Sequence, residues 1–364
     1  MYQAILCAAM LGGLVVNTQV EEHIQEQWQL THSVKNHCLD NNDNFSPDGA
    51  LLCYDTREGV GPGIDNSQSI EMVDVRTGVE TVAYAPSPTV VGKEAAPGVG
   101  AVSFSPVENR LAFIHGPMVD EVAVRGWYGK PNRRGATVLA DGKGALGWLD
   151  FRDIARDRDT LPGAHRGGTH RHEYSLDGKR IGFTYDDFLL QQYDRTIGYM
   201  EPRPDAPGGA SHYFALLVKV VAKGTAKPGE IERADGDSWV GREGLMRAFI
   251  GKVRAEDGKR YETGLFVVDV PREVDITTAD SGGPDRFPSP PKGLTIRRLV
   301  KDGAFGIVRG SLQGDRIAYY ALAPDKTKQV FIVASDGGED HPDPAKRPVQ
   351  VTHLPGGVTG GLRW

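Results

Sequence analysis

FSPDG, at Phe45–Gly49, runs into ALLCYD, and the phrase returns three times further along the chain. Phe104–Glu108 is FSPVE before NRLAFIHG, Tyr174–Gly178 is YSLDG before KRIGFTYDD, and Gly310–Gly314 is GSLQG before DRIAYYALA. Each copy reads as a strand, a tight polar turn and a second strand of alternating apolar residues. Asp-Gly in the turn suits positive φ and a hairpin connection. The shared serines, Ser46, Ser105, Ser175 and Ser311, are spaced by 59, 70 and 136 residues. The doubled last interval predicts a worn copy near residue 243, where Arg242–Val253 is REGLMRAFIGKV.

Two further markers agree with that count. Gln29–His32 (QLTH) and Gln350–His353 (QVTH) each stand shortly before an expected repeat core. SIEMVDVRTGVETVAY and KQVFIVASDGG supply the later strands of their units. Units of this kind cannot bury both faces alone, and radial packing solves that problem better than a sandwich or a solenoid. The fold class expected is all-β: a six-bladed β-propeller with an incomplete or N-terminally completed last blade. Trp364, in GGLRW, falls where the sixth marker is due; a strictly five-bladed ring is the alternative.

Composition sets outer bounds. The 364 residues are 39% apolar and 8% aromatic, enough for a sizeable core, and the 46 Gly and 23 Pro are dispersed as turns. A net charge of −6 without a basic stripe argues against nucleic acid as a partner. Three cysteines, Cys7, Cys38 and Cys53, leave at least one unpaired; a Cys38–Cys53 bridge across a hairpin is conceivable. Ala4–Val16 is an apolar run of signal-peptide length, too short to span a bilayer. Residues 1–22 are therefore expected to be an export-signal remnant or an N-terminal strand, with a single propeller domain over 23–364. A periplasmic or secreted location follows, with the cytoplasm as the other reading, and no membrane span.

The SPDG turns with QLT-type endings resemble the TolB-like propellers, a bacterial group related to WD-repeat proteins. Within it, NHCLDNNDNFSPDG, FSPVENRLAFIHGP and GGTHRHEYSLDGKRIGFTYDD resemble an uncharacterised bacterial propeller family of unknown function. The group includes oligogalacturonate lyases, so the resemblance implies a channel mouth that takes acidic saccharides and metal-assisted β-elimination. Two departures stand against that chemistry. Ala101 occupies the place of the lyases' proposed histidine base. The lyases' Gln-x-Thr-His-x-His metal cluster is split here between QVTH, which lacks the second His, and GGTHRH, which has Gly167 for the Gln.

Candidate residues follow from strand geometry. His170 and His172 stand two apart on a first strand, where alternation points both side chains the same way, so they are candidate ligands to one divalent metal (Mn, Zn or Ca), with His212 as a third. His115 and Tyr185 are candidate proton carriers, and Arg171 a candidate for neutralising a carboxylate. His37, Asn41, Asp43 and Arg166 are candidate substrate contacts around the same mouth. Each has a plainer reading as a loop-bonding or packing residue. No Walker loop, G-x-S-x-G elbow or dinucleotide fingerprint appears, so no nucleotide cofactor is expected. The function expected is a small-molecule- or oligosaccharide-binding propeller, as a carbon–oxygen lyase acting on uronate-containing saccharides. The alternative is a non-catalytic scaffold for a glycan or protein partner.

Overall fold

The computed structural model describes residues 28–59 and 63–364. The export-signal expectation at 1–22 lies outside them. Nineteen strands lie among the described residues, almost all in antiparallel meanders. The first sheet holds β1 (Leu51–Asp55), β2 (Ile70–Asp74) and β3 (Glu80–Tyr84). Residues 38–45 run along β1 through the bridges Cys38–Asp55 and Phe45–Leu52 and serve as its innermost strand. The second sheet holds β4 (Val99–Phe104), β5 (Arg110–His115), β6 (Arg134–Leu139) and β7 (Gly147–Trp148). The third holds β8 (Gly168–Tyr174), β9 (Ile181–Asp186), β10 (Thr196–Pro202) and β11 (His212–Leu216). The fourth is β12 (Ile231–Val240), β13 (Met246–Arg254), β14 (Tyr261–Asp269) and β15 (Thr295–Val300). The fifth is β16 (Phe305–Gly310), β17 (Arg316–Leu322), β18 (Lys328–Ala334) and β19 (Val349–Gln350).

The repeat explains this layout. In the first copy Gly49 sits at φ +71° and donates its amide to Ser46 O, while Asp48 Oδ1 accepts from the Ser46 hydroxyl and from Ala50 N. Gly178 and Gly314 repeat the bond to Ser175 and Ser311 at φ +72° and +82°. That left-handed position is why the turn ends in glycine. The worn copy does place a turn, between β12 and β13, with Gly241 and Gly244 supplying the positive φ.

Apolar residues fill the spaces between sheets. Cys53, Ile70 and Met72 of the first sheet pack with Val99, Phe104 and Phe113 of the second, and Trp239 and Phe249 of the fourth pack with Tyr199 of the third. Burial of this kind is the main stabilising term. Inner strands meet sheet to sheet: β1 lies against β4, β4 against β8 and β12 against β16. The arrangement is a β-propeller. Its sheets number five among the described residues, rather than six. After β16, the next place on the inner wall is taken by residues 362–364: Arg309 Nε donates to Leu362 O, and Arg363 donates to Asn41 O beside the first sheet.

Cys38 and Cys53 are both buried and both free, so the expected bridge is not formed. Register is the reason: Cys38 faces Asp55, while the Cys53 amide donates to the Asn44 carbonyl, several residues along the same strand pair.

Candidate functional site

The inner strands do not alternate cleanly. The register shifts between Gly100 and Ser103 on β4, between His170 and Glu173 on β8, and between Asp235 and Ser238 on β12. Such bulges re-aim the side chains that follow them. On β8 the consequence is direct: Arg171 takes φ +55°, and His170 and His172 enter different surroundings.

His170 lines a cavity of about 700 Å³ at the mouth of the channel. Lys130 and Arg133 reach the same cavity from the segment before β6, Arg171 from β8, and Arg195 from the entry to β10. Three carboxylates, Asp40, Asp65 and Asp235, also line it; Asp40 meets Arg57 at 3.2 Å and Asp235 meets Arg233 Nε at 2.9 Å. On the cationic wall, Asp186 meets Arg195 at 2.7 Å and Arg133 at 3.9 Å. Asp186 thus serves two of these cations. Arg133 Nε and Nη2, Arg171 Nε and His170 Nδ1 are buried with no hydrogen-bond partner among the described residues. Burial and the flanking guanidiniums of Arg133, Arg195 and Arg171 hold the His170 imidazole well below its ordinary pKa, so it is neutral at pH 7.

His172 faces the other way. Its Nε2 bonds Thr169 Oγ1 at 3.0 Å, and the Thr169 hydroxyl donates to Asp150. His165 Nε2 stands 3.5 Å from the same Asp150 carboxylate, and all of these side chains are fully buried. Burial alone would raise Asp150, yet His165, His172 and Thr169 hold it down to about 2. Burial also pushes His172 and His212 down to about 4. His212, on the outermost strand of its sheet, bonds Ser211 Oγ at 2.7 Å. The expectation that His170 and His172 share one side therefore fails at the bulge. Among the described residues, no three His, Cys, Asp or Glu side chains converge in a way that holds a metal ion.

The other expected residues scatter. His115 is fully buried, bonded to Tyr84 at 2.9 Å and packed edge-on to Trp148, and burial lowers it to about 4. Tyr185 is fully buried, donates to Asp187 at 3.0 Å, and is raised well above its usual pKa by burial and that carboxylate. Arg166 pairs with the same Asp187 at 2.9 Å. His37 meets Glu80 at 3.2 Å beside β3. Asn41 ties the inner strands together, donating to Ala101 O at 2.6 Å and His172 O at 3.1 Å. Asp43 lies near Glu173, Arg309 and Arg363, and burial with the Glu173 charge pushes it up to about 7. Of the ten, His170 and Arg171 line the cavity. Arg133, Arg195, Lys130 and Tyr128 line it too and lie outside the residues expected from the sequence; the signal for the three cations is their place ahead of strand starts.

A family model described as a protein of unknown function (DUF3748) matches residues 98–206, the span that carries Arg133, His170, Arg171 and Arg195. The chain is also 30% identical over 367 residues to the uncharacterized protein YidR of Escherichia coli (strain K12), covering 92% of this chain and 81% of that protein. The chain belongs to this family of uncharacterized proteins. Among solved structures, an oligogalacturonate lyase from Vibrio parahaemolyticus is 12% identical with a TM-score of 0.46, over 90% of this chain and 83% of that one. TolB from Acinetobacter baumannii is 14% identical with a TM-score of 0.43, over 83% and 52%. These two are similar chains of low identity. No helix among the described residues is long and apolar enough to cross a membrane.

Proposed function

We propose that the cavity binds an acidic saccharide of the uronate class, and that His170 takes a proton from it in a lyase-type β-elimination. The observation that carries this reading is a neutral imidazole set among guanidiniums that lack full protein partners. A carboxylate docked on Arg133 and Arg171 has its charge offset, which acidifies the carbon–hydrogen bond beside it. His170 Nδ1 accepts that proton; the electron pair forms the new carbon–carbon double bond as the bond to the β-oxygen breaks. Tyr128, whose hydroxyl accepts from Arg133 at 3.0 Å in the same cavity, is the candidate donor to the leaving oxygen. It takes the part first given to Tyr185, which is buried elsewhere.

A divalent metal does not fit this donor set, because the guanidiniums around His170 repel a cation. No step is routed through one. Export rests on the apolar run Ala4–Val16 and is part of the same proposal; fractionation of the expressed chain tests it.

The experiment is a panel of uronate oligomers and polymers, followed by the ultraviolet absorbance of unsaturated products and, in parallel, by calorimetric titration. Product formation lost in His170→Gln with binding kept supports the full reading. Binding without product from any member supports the non-catalytic scaffold instead. Absence of both overturns the reading.

A further inference from the structure

Four inner strands share one backbone device. Ala101 on β4, Arg171 on β8, Gly236 on β12 and Gly306 on β16 take φ of +52°, +55°, +65° and +77°, each within a register shift. Glycine occupies the position on β12 and β16, as left-handed backbone favours. On β4 it is a small residue whose amide donates to Asp55 at 2.7 Å. On β8 the same position holds a long cation.

That cation is costly twice. Its backbone is in a region a side chain disfavours, and its guanidinium is about nine-tenths buried without an ion-pair partner among the described residues. Its near neighbours include His170 on its own strand, Arg309 of β16 and Arg363 of the segment beside the first sheet, and the cavity's carboxylates, Asp40, Asp65 and Asp235, make no ion pair with it. Asp43 and Glu173 lie beside Arg309 and Arg363, and neither comes within ion-pair distance of Arg171. A strained, unpaired, buried cation in a solvent-connected cavity has a reason to persist only if something outside the protein pairs with it.

We infer that Arg171 is the specificity-determining residue of the cavity, held by the bulge to grip a planar carboxylate with both arms of its fork. The inference rests on the reading of the cavity as an anion site and adds which residue selects the ligand. A guanidinium suits a two-oxygen planar anion in a way a point charge does not.

The test uses the full chain with Arg171→Gly and Arg171→Lys, thermal melting, and titration with trigalacturonate and with inorganic phosphate. Arg171→Gly should melt higher, by roughly 2 °C or more, while losing at least tenfold in trigalacturonate affinity. Arg171→Lys should recover only part of that affinity. A lower melting point in Arg171→Gly would make the arginine structural and overturn the inference, as would unchanged affinity. Phosphate bound as tightly as trigalacturonate would overturn the carboxylate assignment. Wild-type protein that binds neither probe would sink the cavity reading itself, an outcome distinct from a wild type that binds and a variant that binds equally.

Discussion

The indole N–H of Trp364 donates to the backbone carbonyl of Arg309 at 2.9 Å. Trp239 makes the same bond, at 2.9 Å, to Glu173 on the neighbouring inner strand. The two acceptors stand at one repeat position, Glu173 just ahead of Tyr174 and Arg309 just ahead of Gly310. Trp239 is 5% exposed and Trp364 is 47% exposed. Trp239→Ala should therefore cost about 3–5 kcal/mol and Trp364→Ala about 1–2 kcal/mol, measured by urea unfolding. Equal costs would contradict this ranking by burial.

Stability should fall on mild acidification. His115 and His172 have folded pKa values of about 4, below the ordinary 6.5. Between those values the unfolded chain holds protons that the folded chain refuses, so stability rises with pH across that window and is lost as pH drops towards 4. Acidification through that window removes up to about 3 kcal/mol for each. Unfolding free energies at pH 7 and pH 4.5 measure the slope, and His172→Gln should flatten it.

Ligand binding should take up a proton. An anion beside His170 offsets the guanidiniums that hold its pKa down, so the bound state protonates more readily than the free one. Uronate affinity is expected to rise as pH falls into the range where His170 takes up its proton, and His170→Gln should remove that dependence. Titration in buffers of different ionisation enthalpy reads the proton directly; no uptake would contradict the arrangement.

Gly168 is required for space, since its own φ is ordinary. A Cβ there would overlap the carbonyl oxygen of Lys130, on the short turn that carries Lys130 and Arg133 to the cavity. Gly168→Ala should destabilise by about 1–3 kcal/mol and weaken uronate binding by shifting that turn. Loss of stability with intact affinity would separate the turn from the cavity.

Much of the fold was legible because the SPDG turn is a local device: a serine, an acid and a glycine satisfy their own backbone within five residues. The worn fourth copy was found by spacing alone, and Gly241 and Gly244 do the same backbone work there. The site was far less legible. Alternation paired His170 with His172, and alternation is the rule a bulge suspends. The bulge at Arg171 depends on how inner strands pack around the axis, as the bond from Ala101 N to Asp55 on the neighbouring sheet illustrates. Arg133 and Arg195 were passed over because a cation ahead of a strand is usually solvated; only the third dimension brings them beside His170.

The inner wall between the fifth and first sheets is completed by Arg309, Arg363 and Trp364 through individual side-chain bonds to backbone carbonyls. Between other neighbours, whole strands lie side by side. A ring is as strong as its seam, and among the described residues this seam is fastened by a few clasps. Breathing motions should start there, with the amides of residues 38–45 and 305–310 exchanging ahead of those of β4. The mouth cavity takes Asp40 from one side of that seam and Gly306 from the other, so opening of the seam should widen it.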